Sequence, residues 1–326
     1  MDSKIKEKCD LFMLNFDILN KNYKKISEDV LLIASIIFTG YDIEVDLMEL
    51  ERCGEIIKNN EHSLSEFRGK FYLPLITKMS ISNEPEKYYL RVRMTYEMLN
   101  QNEWLGSSYK IIAAMSICDT VVEYNVSDAV DRALLIYKKM KALHPYITTD
   151  EDITFASLLA VTGTDIDLLI REMEKCYSYL KDRFKHKNAI QSLSHVLTLG
   201  DTDVTDKCSK VVNIYNDLRS RGKKYGSYFE LSALGVFSMV KRNEKDIVND
   251  ICSVDDHLKE MKCFRANRLG EARRLMYSAL LVNDVYIPKQ FNAEQVAISS
   301  TIATLIAEEI LLTATILGIT KFETVK

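Results

Sequence analysis

Glycine and proline are scarce in this chain, 11 and 4 among 326 residues. A sheet-rich fold needs turn residues every 8–12 positions or so, and this sequence does not supply them. The 7 cysteines are odd in number and show neither a CxxC pair nor a Cys–His spacing, which excludes a zinc ribbon and a disulfide framework. They read as reduced core residues of a cytoplasmic protein. Gly-rich phosphate loops, nucleophile elbows and HExxH motifs are missing as well, so no cofactor or metal is expected. Net charge is −4, which sets no field for DNA. No secretory h-region follows the charged start Met1-Asp2-Ser3-Lys4. The most apolar stretch, residues 296–322, is interrupted by Glu308 and Glu309. A membrane span needs about 20 uninterrupted apolar residues, so a buried helix is the better reading.

What the sequence does have is an internal period. Tyr96, Tyr137, Tyr177 and Tyr215 each open a Tyr-x-x-Leu/Met pattern, at spacings of 41, 40 and 38. Each lies late in an amphipathic segment. Val204, Cys208, Val211, Tyr215 and Leu218 fall on one stripe of a 3.6-period helix, as do Leu169, Met173, Cys176 and Leu180 one unit earlier. After each such A helix come a polar loop and a residue suited to a helix N-cap: Ser107, Thr148, Asn188 and Ser227. Glu151, Gln191 and Glu230 complete capping boxes with the last three. A more apolar B helix follows each cap, near residues 111–118, 155–161, 190–199 and 229–240. Gly40, Gly163 and Gly200 suit left-handed helix ends, and a following Asp suits the cap of the next A helix. The B helices end near 40, 81, 120, 163, 200, 243 and 284, which predicts about seven units.

One αα-hairpin cannot bury its own apolar face, whereas stacked hairpins can. The predicted fold is therefore all-α: tandem αα-hairpins of about 40 residues in a curved solenoid or ring-like superhelix. The alternative is an irregular compact α-bundle. One repeat domain spans 1–326, with atypical units over 1–83, regular units over 84–284 and a capping helical segment over 285–326. Pro74 is expected to break or kink the second B helix.

Several residues could carry function. His144-Pro145 leads into Thr148, Asp150, Glu151 and Asp152, a histidine and three carboxylates at a helix start, with His195 in the next B helix. A cation or general-base site is one reading; a proline stop, a capping box and acids at a helix N-terminus account for the same residues. His195 sits between Ser194 and Val196 in an apolar helix, where a core histidine is the usual case. The A–B loops are basic. They hold Lys138, Lys139 and Lys141, then Lys181, Arg183, Lys185 and Lys187, then Arg219, Arg221, Lys223 and Lys224. The opposite ends are acidic, with Asp128, Asp131, Asp165, Asp167, Asp201, Asp203 and Asp206. A basic ridge for an acidic partner, phosphate or RNA competes here with simple complementarity to helix dipoles. Trp104 is a candidate anchor or helix-end cover. Arg273 and Arg274 could line a concave face.

Phe67-Arg68-Gly69, His144-Pro145 with Thr148, Asp150 and Asp152, and Leu193-Ser194-His195-Val196-Leu197 with Gly200 resemble a bacterial family, domain-of-unknown-function family 4003. The resemblance extends over most of the chain. It implies no catalytic residue.

The expected role is a protein-interaction scaffold or regulatory binding module with a protein or peptide partner. The alternative is a metal-dependent or small-molecule enzyme using His144, Asp150, Asp152 and His195. RNA or phosphate binding along the basic edge is a weaker alternative. No membrane association is expected, and the sequence does not set an oligomeric state.

Overall fold

A computed structural model describes residues 1–101, 107–121, 125–228 and 230–286. Among the described residues there are fourteen α-helices and no strand, so the chain is all-α as expected. The helices come in pairs. The first three are α1 (Ser3–Asn22) with α2 (Glu28–Gly40), α3 (Leu47–Asn60) with α4 (Tyr72–Ile81), and α5 (Pro85–Leu99) with α6 (Ser108–Thr120). The next two are α7 (Val126–Leu143) with α8 (Asp152–Ala160), and α9 (Ile166–Leu180) with α10 (Lys187–Thr198). The last two are α11 (Val204–Ser220) with α12 (Leu231–Gly235), and α13 (Glu244–Leu258) with α14 (Gly270–Tyr286). A 3-10 turn, Val236–Met239, prolongs α12. Trp104 and residues 287–326, all but the first two residues of the predicted capping segment, lie outside the described residues.

The two helix types differ because their sequences do. In α9 only Leu169, Ile170, Met173, Cys176 and Leu180 are buried, one stripe with a polar face opposite. In α8 all of Asp152–Ala160 is buried, and in α2 only Glu28 is not. A helix apolar on every side must have neighbours on every side. Accordingly α2 packs on α4; α6, α8, α10, α12 and α14 pack in turn, and so do α3, α5, α7, α9, α11 and α13. The first hairpin also meets the last, with α1 against α13 and α14. Phe12 stacks on Tyr277 there, ring centroids 5.5 Å apart. Among the described residues, no helix is long and apolar enough to cross a membrane.

Local punctuation follows the sequence in part. Asp46, Asp165, Asp203 and Asn243 accept backbone N–H bonds as caps of α3, α9, α11 and α13. Gly163 is left-handed (φ 71), but beside Gly40 the left-handed residue is Asp42 (φ 59). Pro74 does not break α4. It falls in the first turn, where a proline has no hydrogen bond to lose. None of the three capping boxes closes as predicted. At the first, Asp152 rather than Glu151 reaches back, its Oδ2 accepting from the Thr149 backbone N–H at 2.8 Å. Thr148 instead donates to the Met140 carbonyl and accepts from the Gln191 side-chain amide at 2.8 Å.

A repeat device emerges that loops and caps do not reveal. The seventh residue of each odd-numbered helix from α5 onward serves the C-terminal end of an even-numbered one. Arg91 donates to the Cys118 and Val121 carbonyls at the end of α6. Arg132 donates to the Ala160 and Thr164 carbonyls at and after the end of α8, and Lys210 to the Val240 carbonyl. In α9 this position is acidic: Glu172 pairs with Lys207 of α11, which in turn donates to the Gly200 carbonyl. In α13 it is Asp250, which accepts from the Tyr286 hydroxyl. A helix C-terminus leaves four carbonyls unpaired and carries partial negative charge, so a cation there is doubly favoured.

Candidate functional site

The repeating tyrosines join neighbouring hairpins. Tyr96 meets Phe67 edge-on at 5.1 Å, Tyr215 meets Phe184 at 5.1 Å, and Tyr177 meets the His144 ring at 4.6 Å. His144 thus holds the place that phenylalanines hold in other units. Its Nε2 lies 2.7 Å from Glu174 of α9. Asp150 is exposed. Its charge, like that of Glu151, acts on the Tyr109 hydroxyl of α6, which burial pushes up first.

Asp152 and His195 do come together. The His195 Nδ1 lies 3.7 Å from Asp152 Oδ1, too far for a hydrogen bond. Both side chains are buried, and neither imidazole nitrogen has a partner. Phe155 flanks the ring at 5.5 Å. The Gln191 side-chain oxygen Oε1 and the Thr149 hydroxyl nearby are also buried and unpaired. Burial pushes Asp152 up to about 8, against the bond from the Thr149 N–H. Burial, and then His144, push His195 down to about 3. At neutral pH the pair is thus a carboxylic acid beside a neutral imidazole. Among the described residues, no three His, Cys, Asp or Glu side chains are grouped to hold a metal ion.

The basic loop after α11 is engaged within the chain. Arg221 makes two 2.9 Å bonds to Asp217 and one of 2.6 Å to Asn249 of α13. Lys223 reaches Asp255 at 2.7 Å and Asp256 at 2.9 Å, and the buried Asp255 also takes Arg274 at 2.6 Å. Arg219 lies over the Tyr215 ring and donates to the Tyr225 carbonyl at 3.3 Å. The Lys224 backbone N–H donates to Glu271. Lys139 pairs with Asp167 of α9 at 2.9 Å. These charges stitch one odd-numbered helix to the next.

Sequence reasoning missed a cleft of about 320 Å³ where the α3–α4 connection meets α5. Phe67 and Tyr96 form its aromatic floor, and Glu61, Glu66 and Glu97 bring three carboxylates against one guanidinium, Arg93. Two of those carboxylates are held by hydroxyls. Glu61 accepts from Tyr89 and Ser65, both at 2.6 Å, and Glu66 accepts from Ser108. Arg93 bonds Glu97 at 3.2 Å and stands 3.7 Å from Glu61. Leu64 on the rim is 87% exposed. The only sequence signal was the Phe67-Arg68-Gly69 motif, because the cleft exists only where two hairpins meet.

Comparison with known proteins places the chain without adding a chemistry. The "Uncharacterized protein YeaA" of Bacillus subtilis (strain 168) is 22% identical over 247 residues, 74% of this chain and 74% of its own length. No solved structure matches. A family model described as "Protein of unknown function (DUF4003)" matches residues 15–311, nearly all of the fourteen-helix region, and the chain belongs to that family.

Proposed function

We propose that the chain is a protein-interaction module: seven αα-hairpins closed into a ring-like superhelix, docking a basic segment of a partner protein in the cleft beside α5. The contact of α1 with α13 and α14 supports the ring. The cleft's charge carries the docking reading. Its three carboxylates share the single Arg93 guanidinium, and Glu66 leans on the Ser108 hydroxyl, so a partner's arginine or lysine would add a second cation. An aromatic floor below favours the same cation, and exposed Leu64 offers an apolar edge. The basic loop is a poorer surface, since Arg221 and Lys223 already have carboxylate partners.

The test uses two acetylated hexapeptides, one alternating Leu and Arg and one alternating Leu and Glu, titrated calorimetrically. The arginine peptide should bind, weaken with salt, and lose about tenfold or more affinity in Glu97→Lys and Leu64→Ser, a difference of ~1.4 kcal/mol. Equal binding of both peptides, or no effect of either variant, would sink the proposal.

A second reading rests on the unpartnered His195 imidazole, since buried polar groups without partners are rare. A small polar molecule between α8 and α10 would satisfy it, and the Asp152–His195 pair could then exchange a proton with that molecule. Mass spectrometry of the gently purified protein should detect a released small molecule from the wild type that His195→Phe lacks. An empty wild type counts against this reading.

A further inference from the structure

Cys176 and Cys208 stand on the buried stripes of α9 and α11, two odd-numbered helices packed side by side. Two polar contacts brace the same interface. The Tyr179 and Ser209 hydroxyls lie 2.7 Å apart, and the Lys207 ammonium sits on Glu172. Glu172 and Tyr179 flank Cys176 along α9 as Lys207 and Ser209 flank Cys208 along α11, so the two cysteines lie between these contacts. Burial pushes the thiols of Cys9, Cys53, Cys118, Cys252 and Cys263 up. Cys176 alone moves down, through the Cys208 thiol and then the Lys207 charge, while Cys208 moves up. That asymmetry assigns the roles of attacking thiolate and resolving thiol.

We propose that Cys176 and Cys208 form a reversible dithiol–disulfide couple that ties the fifth hairpin to the sixth, with hydrogen peroxide as the class of oxidant. The Cys176 thiolate attacks one peroxide oxygen. An S–O bond forms, the O–O bond breaks, and hydroxide leaves to become water with one proton. The Cys208 sulfur then attacks the Cys176 sulfenic acid. An S–S bond forms, the S–O bond breaks, and the second water leaves with the Cys208 proton. Two thiols thus give two electrons and two protons to one peroxide. Exchange with an external dithiol reverses the change. Because both cysteines are buried, the oxidant must be small, and access follows local opening between α9 and α11.

The test treats the folded full chain with hydrogen peroxide and maps the cysteines without reduction. Half-buried Cys252 in the same molecule reports unspecific oxidation. A mass lower by two hydrogens, a Cys176–Cys208 linked peptide and full reversal by dithiothreitol are expected. Cys208→Ser should stop at a Cys176 sulfenic acid that dimedone labels, while Cys176→Ser should leave Cys208 unlabelled. Thiols at both positions when Cys252 is already oxidised would overturn the proposal. So would a disulfide from either to any other cysteine. The wild-type map is decisive by itself if a variant fails to fold.

Discussion

The His257 Nε2 of α13 lies 2.8 Å from Asp10 Oδ1 of α1, although 247 residues separate them in sequence. Beside them Lys8 pairs with Asp284 at 2.6 Å, and Arg268 with Glu28 at 2.9 Å. An open repeat array exposes a terminal unit at each end and can fray there. Among the described residues the first unit instead has the last as its neighbour, so unfolding should be one transition rather than a sequence of terminal openings.

The aromatic contact at this seam, not the exposed His257–Asp10 pair, should hold it. Phe12 is fully buried against Tyr277. Phe12→Ala should cost about 3–5 kcal/mol by urea denaturation. His257→Gln should cost no more than about 1 kcal/mol, since Asp10 is 46% exposed and exposed pairs are screened. A Phe12→Ala loss below about 1 kcal/mol would show that the seam bears little of the stability.

A buried ion pair joins hairpins two and three. Lys78 Nζ of α4 lies 2.8 Å from Asp119 of α6, both nearly inaccessible. The Tyr88 hydroxyl donates to the same carboxylate at 2.8 Å, and Lys78 donates to Tyr41. Burial opposes the Lys78 charge, but Asp119 and then Tyr41 outweigh it and hold the ammonium above its ordinary range. Lys78→Met leaves the carboxylate uncompensated and should cost about 3–5 kcal/mol, whereas Lys78→Met with Asp119→Leu should recover much of that. A double variant no better than the single one would show that packing, not charge, sets the cost.

The seventh-position device predicts where a surface-looking arginine matters. Arg132 serves the two carbonyls at the end of α8. Arg132→Ala should cost about 1.5–3 kcal/mol, the range for hydrogen bonds to a charged group. Amide exchange should accelerate at the last turn of α8 and the loop to α9. If protection there is unchanged, water replaces the guanidinium without loss.

The hairpin pattern was legible because burial imposes period on sequence. The ends predicted for α2, α4 and α6, at 40, 81 and 120, match Gly40, Ile81 and Thr120. What the sequence hid depends on pairs far apart in it. Loop charges such as Lys223 looked like a ridge because Asp255 lies on the next hairpin. The Arg91, Arg132, Glu172, Lys210 and Asp250 positions repeat at 41, 40, 38 and 40, five residues before the tyrosines where those occur. Their signs are mixed, so a search for like residues passes over them. His195 could be placed in an apolar helix from sequence, but its meeting with Asp152 needed the packing of α8 on α10.

That meeting has a signature in the pH dependence of stability. Asp152 titrates at about 8 when folded and near its ordinary 3.8 when unfolded. The folded state therefore holds one more proton between those values, and stability falls as pH rises through that window. His195 titrates at about 3 when folded and 6.5 when unfolded. The unfolded state holds the extra proton there, so stability falls as pH drops through that window. From about pH 4 to 6.5 the two slopes cancel: the proton that His195 loses on folding is matched by the one Asp152 keeps. Above pH 6.5 only the Asp152 slope remains, about 1.4 kcal/mol per pH unit at most. His195→Gln should uncover the falling slope from pH 4 to 8, and Asp152→Asn the rising slope from pH 3 to 6.5. Urea midpoints at half-unit pH intervals measure both. Parallel curves for wild type and both variants would mean that Asp152 and His195 gain or lose no proton on folding.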